Sequence, residues 1–320
     1  MEGARWVRPG HGAEAPIWGL RDGIQVGIHP GSIEGHGDGG PRGLLRIGYP
    51  ILDGGARAGL VNFIAVEPIV RGRRGFSELE VSSSDGRRGR VFWTGSAEAP
   101  GGKPGAGRLT RADGVERLAV TVRMERFDNG ARPIVGFQIR SDRPGEVRLT
   151  VRAAPESVPM DSCVLTATMG NYMRLRRLWL KGGAVEASSV WPDFDGDEFT
   201  PEAFFPIGRL PVTGAGDVLV AATTDEKDPG AVLADPRAPW WRYRGSFALT
   251  QYWRKPRGAW RDDLRVRVNG RRVYWASHSP IPGGLAYENF DLVEPFREGQ
   301  VSVFGLTRET PAALGLAPAP

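Results

Sequence analysis

Short stretches of alternating apolar and polar residues recur along this chain, and glycine- and proline-rich turns separate them. In Val147–Arg152, the side chains of Arg148, Thr150 and Arg152 alternate with three apolar ones. Successive side chains of a β-strand point to opposite faces, so this pattern predicts a strand with one packed and one solvated face. The 45 glycines and 26 prolines suit a chain in which turns join many short strands.

The alternating stretches predict about fifteen to eighteen strands, with no βαβ rhythm between them. We therefore expect an all-β fold: a large antiparallel β-sandwich, of jelly-roll or supersandwich type, with very little helix. The stretch Asn171–Lys181 fits helical spacing as well as strand alternation, and we favour a strand because its neighbours are strands. We expect one sandwich domain over residues 1–310 and a flexible tail over residues 311–320.

Two local patterns give more specific predictions. Ser77–Ser83 has the composition of a strand. Asn269-Gly270 stands between two alternating stretches, and both residues tolerate the positive φ angles of a type I′ turn. The sequence therefore predicts a β-hairpin with its turn at Asn269-Gly270.

The charge and composition exclude several classes of protein. The net charge is +5, but only four of the 42 cationic residues are lysines and the arginines are spread along the chain. A nucleic-acid-binding protein would more often concentrate them in a patch, so we expect no nucleic-acid partner. No apolar run approaches the roughly 20 residues that span a bilayer, which predicts a soluble protein without a membrane partner.

The single cysteine, Cys163, excludes an intrachain disulfide, and its apolar surroundings in the sequence predict a buried, inert thiol. The first ten residues lack the order of a secretory signal. The sequence as it stands predicts a cytoplasmic protein, or an exported one if a leader has been removed. No nucleophile elbow, Walker loop or dinucleotide fingerprint is present, so we expect no organic cofactor.

An eight-residue motif occurs twice. Asn62-Phe-Ile-Ala-Val-Glu67-Pro68-Ile is echoed by Asn289-Phe-Asp-Leu-Val-Glu294-Pro295-Phe, with five of the eight residues identical. The offset is too long for a solenoid repeat, so the copies are better explained as equivalent strands of a sandwich.

This motif supports two interpretations. In the structural one, Phe and Val point inward and Pro ends the strand, which leaves Glu at an exposed strand end. In the functional one, Glu67 and Glu294 meet across a cleft and divide the general-acid and general-base work on a glycosidic bond. Arg71 and Arg297, which follow the two copies, would then anchor the substrate.

A short acidic stretch suggests a metal site. Asp193, Asp195 and Asp197 alternate in Trp191-Pro-Asp-Phe-Asp-Gly-Asp-Glu, and alternate carboxylates in a turn suit Ca²⁺. The stretch is not an EF-hand, and the alternative interpretations are a solvated acidic loop and a catalytic carboxylate.

Aromatic residues crowd together with arginines between residues 240 and 260. Sugar rings present apolar C–H faces, so stacking aromatics beside arginines form a natural carbohydrate platform. The alternative is that these aromatic residues simply fill a β-core. The predicted platform comprises Trp240, Trp241, Tyr243 and Trp253.

Together these patterns predict a carbohydrate-active protein, with a glycoside hydrolase as the leading option and a lyase or an epimerase behind it. The alternative is a non-catalytic carbohydrate-binding or structural assembly module, and self-association into a homo-oligomer stays open. The separation of the Glu67 and Glu294 carboxylates distinguishes the two classes, because a catalytic pair must be close.

Overall fold

The structure is a computed structural model that describes residues 5–13, 15–28, 42–95, 100, 102–168, 173–224, 248–275 and 277–316. It is nearly all β, with 52% strand and 4% helix, and its two large antiparallel sheets pack face to face. The prediction of an antiparallel β-sandwich with very little helix is therefore confirmed. No helix in the described part of the chain is long and apolar enough to cross a membrane.

The chain divides into two compact units. Unit 1 contains the described residues up to 165 together with 295–301, and unit 2 contains those of 166–224, 248–294 and 302–316. The prediction of a single domain stays a prediction. Within the predicted tail, Leu316 is buried against Leu219, Ala221 and Tyr252 of unit 2.

Unit 1 contributes strands to both sheets. One set has the order β6-β5-β4-β3-β1, with β2 beside β1 and β7 beside β6; the other has the order β12-β11-β10-β8, with β9 beside β10. The strands are β1 (Trp6–Pro9), β2 (Gly12–Ala13), β3 (Ile17–Leu20), β4 (Gln25–Ile28), β5 (Leu44–Leu52), β6 (Arg57–Val70), β7 (Arg73–Arg74), β8 (Phe92–Thr94), β9 (Arg108–Ala112), β10 (Val115–Met124), β11 (Pro133–Arg140) and β12 (Arg143–Ala153).

Side chains from both sets of strands meet in the core of unit 1. Along β12 the predicted alternation is confirmed, because Val147, Leu149 and Val151 are buried whereas Arg148 and Arg152 are exposed. The ring of Trp18 on β3 packs edge-on against Phe137 on β11, with the centroids 5.9 Å apart. Burial of such large apolar side chains stabilises the sandwich by about 1.5–3 kcal/mol each.

Unit 2 is built in the same way. One set has the order β16-β19-β20-β13 and the other β15-β14-β17-β18-β21. The elements are β13 (Ser162–Ala167), β14 (Leu175–Leu180), β15 (Gly183–Glu186), α1 (Ala187–Val190), β16 (Ala203–Pro206), β17 (Val218–Thr224), β18 (Thr250–Lys255), β19 (Arg265–Arg271), β20 (Ala286–Val293) and β21 (Gln300–Thr307). In addition, 3-10 turns occupy Asp53–Gly55 in unit 1 and Ile207–Arg209 in unit 2.

The stretch Asn171–Lys181 fitted both a helix and a strand. Residues 175–180 form strand β14, so the preferred prediction of a strand is confirmed. In the core of unit 2, Trp253 on β18 stacks edge-on with Phe304 and donates its indole N–H to the carbonyl of Phe290. Gly305 lies opposite Tyr252, whose ring is so close that a Cβ at position 305 would overlap it.

The hairpin prediction at Asn269-Gly270 is wrong. Both residues lie inside β19, at an irregularity in its pairing with β20. The side chain of Asn269 accepts a hydrogen bond from the backbone N–H of Asn289. Gly270 is needed for space rather than for a turn, because a Cβ there would approach the carbonyl of Ala286 to 2.8 Å and the ring of Trp191 to 3.3 Å.

The prediction of a strand over Ser77–Ser83 is also wrong. This segment forms turns within the excursion that joins β7 to β8. Polar bonds hold this excursion: the buried carboxylate of Glu125 accepts hydrogen bonds from Ser82 Oγ, Ser84 N and Val91 N. A serine-rich segment competes for such local bonds instead of pairing as a strand.

Candidate functional site

The first echoed glutamate, Glu67, lies inside β6 and not at its end. Pro68 does not end the strand, which continues to Val70. Glu67 is only 4% exposed, so the expected exposed strand end is wrong for this copy. Its carboxylate is therefore largely shielded from bulk water.

A second glutamate, Glu78, shares this environment. The segment that carries it is bonded to β6, because Ser77 N donates to Val66 O at 3.2 Å and Val66 N donates to Ser77 Oγ at 2.9 Å. Burial, and then the charge of Glu67, raise the pKa of the Glu78 carboxyl to about 7. Its own backbone N–H and the Ser77 hydroxyl act in the opposite direction. Close to neutral pH, Glu78 is a mixture of acid and carboxylate.

The thiol of Cys163 lies close enough to Glu67 to be affected by its charge. Burial, and then the charge of Glu67, raise the pKa of Cys163 far above its ordinary value. A thiol that stays protonated is a poor nucleophile, because the thiolate is the reactive form. The structure thus agrees with the prediction of a buried, inert cysteine.

The second echoed glutamate, Glu294, follows β20 in unit 2. It is 5% exposed, and its carboxylate forms a buried ion pair with the ammonium of Lys255 on β18. Lys255 is 1% exposed, so neither charge is compensated by bulk water. Removing one partner of such a pair leaves an uncompensated buried charge. The pairing of Glu67 with Glu294 stays a prediction.

The two predicted anchor arginines both lie in unit 1. Arg71 is exposed and adopts a φ of 48° beside Gly72 at 74°, which makes a tight two-residue turn between β6 and β7. Arg297 is half-buried, and its backbone N–H donates to the side chain of Gln300 at 3.2 Å. A role of either guanidinium in substrate binding stays a prediction.

The acidic stretch is a solvated loop in the structure. Asp193, Asp195 and Asp197 are all exposed. Within the described residues, these or any other His, Cys, Asp or Glu side chains form no group of three that could hold a metal ion. Calcium binding by this loop stays a prediction.

The predicted aromatic platform is described only in part. Trp240, Trp241 and Tyr243 lie outside the described residues. Trp253 is 1% exposed within the core of unit 2, where Phe304 packs against its ring. Its position matches the alternative interpretation, in which aromatic residues fill the core.

Unit 2 also contains a buried network that the sequence reasoning missed. The guanidinium of Arg267 makes a bidentate pair with Asp291, at 3.0 Å from Nε and 2.9 Å from Nη2. It also bonds Thr166 Oγ1 at 3.1 Å and Glu202 Oε1 at 3.3 Å. Thr166, Asp291 and Arg267 stand side by side on β13, β20 and β19, so the network ties three strands in register.

Sequence reasoning also missed Glu78 and Lys255. Glu78 carries no motif of its own; its only signal was its place in Phe76-Ser-Glu78-Leu-Glu80, where two acidic residues flank a leucine. Lys255 is one of only four lysines, and that rarity could have marked it as a buried partner. No family model, curated protein or solved structure matches this chain.

Proposed function

We propose that this protein is a glycoside-processing enzyme, most simply a hydrolase, in which Glu67 and Glu78 of unit 1 form the catalytic carboxylate pair. The observation that carries the proposal is the closeness of the buried Glu67 to the half-buried Glu78, whose pKa its charge affects. The pKa of Glu78 is raised to about 7 by burial and by the charge of Glu67. Glu78 thus takes the role that the sequence had given to Glu294.

Glycoside hydrolysis requires one protonated and one ionised carboxyl group on either side of the scissile bond. Glu78 suits the general acid, because a carboxyl with a pKa near the working pH can hold a proton and also release it. Glu67 suits the nucleophile or the general base. In the reaction Glu78 would protonate the departing glycosidic oxygen while Glu67, directly or through water, attacks the sugar carbon.

The Ser77 hydroxyl would position the acid. Ser77 Oγ lies 3.3 Å from Glu78 Oε2 and accepts a hydrogen bond from Val66 N, next to Glu67. One hydroxyl therefore links the backbone of β6 to the carboxyl that donates the proton. Glu294 remains with Lys255, where the ammonium partner supports a structural role.

The remaining sequence predictions fit this proposal without adding to it. Calcium at Asp193, Asp195 and Asp197 would stabilise a loop and take no part in proton transfer. Binding to a carbohydrate partner follows from the proposal itself. That no nucleic acid binds this protein stays a prediction. Self-association into a homo-oligomer also stays a prediction.

The test is hydrolysis of a panel of 4-nitrophenyl glycosides by the wild type and by Glu67→Gln and Glu78→Gln. Each variant should lose about two to four orders of magnitude in kcat/KM, the scale of general acid–base catalysis. Activity of the wild type should fall as the pH rises above about 7, because Glu78 then loses the proton that it must donate.

The matched control is Glu156→Gln, which changes an exposed glutamate of unit 1 that pairs only with Arg132 among the described side chains. It should keep wild-type activity. If Glu78→Gln hydrolyses the same substrate at the wild-type rate, the proposal is wrong. The non-catalytic binding module is then preferred, provided that a glycoside still binds.

A further inference from the structure

Unit 1 contains a cavity of about 190 Å³ whose lining includes three aromatic residues. Trp18 of β3 and Phe92 and Trp93 of β8 contribute three rings. The rings are held in place: the indole N–H of Trp18 donates to Gly105 O at 2.9 Å, and Arg132 packs over Trp93 at 5.8 Å. A cavity with fixed walls is preorganised, which reduces the entropic cost of binding.

The volume limits the ligand to about one ring. An apolar protein cavity of about 150 Å³ takes up benzene, and pockets for drug-sized molecules begin at about 300 Å³. A cavity of 190 Å³ therefore accommodates a single six-membered ring with small substituents. It excludes a disaccharide from lying wholly inside.

Two polar side chains in the lining point to a ligand with hydroxyl groups. Thr94 Oγ1 accepts a hydrogen bond from Gly105 N at 3.0 Å and keeps its own proton to donate. Arg42 carries five N–H donors, and four of them bond acceptors on Asp85, Arg87 and Gly89 within the described residues. A ring with an apolar face and hydroxyl edges matches these walls better than a purely apolar ring does.

The cavity is connected to the proposed catalytic pair through the backbone. Val91 lines the cavity, and the preceding residue, Arg90, donates its N–H to Ser77 O at 2.7 Å. On the same side, Gly43 follows Arg42 and packs so tightly on Ser77 that a Cβ at position 43 would approach the Ser77 carbonyl to 2.1 Å. The segment that carries Glu78 therefore abuts one wall of the cavity.

We infer that this cavity binds one monosaccharide ring against Phe92 and Trp93, with Thr94 and Arg42 bonding its hydroxyls. The choice of a sugar as the ligand rests on the proposed function. The existence of the cavity does not depend on that function. The ring would be the terminal residue of the glycoside, held beside the segment that carries the proton donor.

The test is titration of the intrinsic tryptophan fluorescence with methyl glycosides of common hexoses and 6-deoxyhexoses, and with phenol as an apolar ring. At least one glycoside should give a saturable change. Val91→Phe, which fills the cavity, and Trp93→Leu, which removes a stacking ring, should each weaken that binding by about tenfold or more. Far-UV circular dichroism and thermal melts confirm that both variants fold.

The matched control is Val81→Phe, because Val81 is 56% exposed and lies outside the cavity lining in the same unit. It should bind the glycoside like the wild type. Equal binding by Val91→Phe, or saturable binding of phenol without any glycoside, would overturn the inference.

The outcomes for the cavity and for catalysis are separable. Glu78→Gln should bind the glycoside as the wild type does while its turnover is lost. If Val91→Phe weakens glycoside binding but the protein hydrolyses no glycoside, the proposed function is wrong and the cavity is still a binding site. If hydrolysis depends on Glu78 but Val91→Phe leaves KM unchanged, the proposed function is supported and the cavity is not the binding site.

Discussion

The two copies of the Asn-Phe-x-x-Val-Glu-Pro motif have nearly the same sequence, but the phenylalanine and the valine exchange their depth of burial between the copies. In unit 1, Phe63 is half-buried and Val66 is fully buried; in unit 2, Phe290 is 1% exposed and Val293 is half-buried. The motif alone therefore does not determine which of its two apolar side chains is buried more deeply.

The glutamate is buried in both copies, yet its partners differ. Glu294 pairs with an ammonium, that of Lys255, whereas the charge of Glu67 acts on another carboxyl, that of Glu78. Opposite charges favour the ionised form of each partner, whereas like charges raise the pKa of one of them. The comparison teaches that the motif specifies a buried glutamate, while its chemistry comes from distant parts of the chain.

The largest expected difference concerns the ion pair of unit 2. Lys255→Met should lower the free energy of unfolding by about 3–5 kcal/mol, because it leaves the buried Glu294 carboxylate uncompensated. The double variant Lys255→Met/Glu294→Leu should recover much of that loss. Urea unfolding measures both values, and Lys181→Met, at an exposed lysine, serves as the control with a change below about 0.5 kcal/mol. A single variant as stable as the wild type would show that the pair is not formed.

The echoed phenylalanines give the next test. Phe290→Ala should cost about 3–5 kcal/mol, since it empties a fully buried site. Phe63→Ala should cost about 1–2 kcal/mol, because Phe63 is half-buried and loses mainly its contact with Arg46, 5.0 Å above its ring. Chemical denaturation of the two variants under one set of conditions gives the comparison. Equal losses would contradict the difference in burial between the two phenylalanines.

A pH series sharpens the difference between the two carboxyl environments. The folded-state pKa of Glu78 is raised, so the folded protein binds this proton more tightly than the unfolded chain does. Stability from this group is present below pH about 4.5 and is lost as the pH rises towards 7, by up to about 3 kcal/mol.

Glu78→Gln should remove this loss, so the variant should be more stable than the wild type at pH 8 and close to it at pH 4.5. Urea unfolding at both values tests the prediction, with Glu156→Gln as a control that keeps the wild-type pH dependence. A variant that parallels the wild type across this range would contradict the raised pKa.

The smallest effect is expected for calcium. If Asp193, Asp195 and Asp197 bind Ca²⁺, a concentration ten times the dissociation constant should stabilise the protein by about 1.4 kcal/mol, or about 2–4 °C in Tm. Thermal melts in chelator and in millimolar calcium test this. The shift should disappear in Asp195→Asn, and identical melts of the wild type under both conditions would rule the site out.

Sequence alternation was enough to predict the fold class because period two depends only on which face of a strand is packed. It predicted the buried face of β12 through Val147, Leu149 and Val151. It failed at Asn269-Gly270, where a local turn signal was overridden by the packing of Trp191 on Gly270. A tertiary contact of this kind leaves no periodic trace.

The candidate site was predictable only in part for a related reason. Repetition drew attention to Glu67 and Glu294, and their burial could be expected from the apolar residues around them. Nothing in the sequence near Glu78 indicates its raised pKa, because that follows from a neighbour eleven residues earlier and from burial by the folded chain. Such chemistry is a property of the assembled unit.

The excursion that carries Glu78 is held by hydrogen bonds and ion pairs. These polar contacts determine the energetics of its local unfolding. Arg42 forms an ion pair with Asp85, and Arg90 forms one with Glu80. Three serine hydroxyls donate hydrogen bonds to the carboxylate of Glu125. Because Leu79 and Val81 are already exposed, its release would uncover little new apolar surface. The m-value and heat capacity of that local opening should therefore be small, and hydrogen exchange there should respond to ionic strength more than to denaturant.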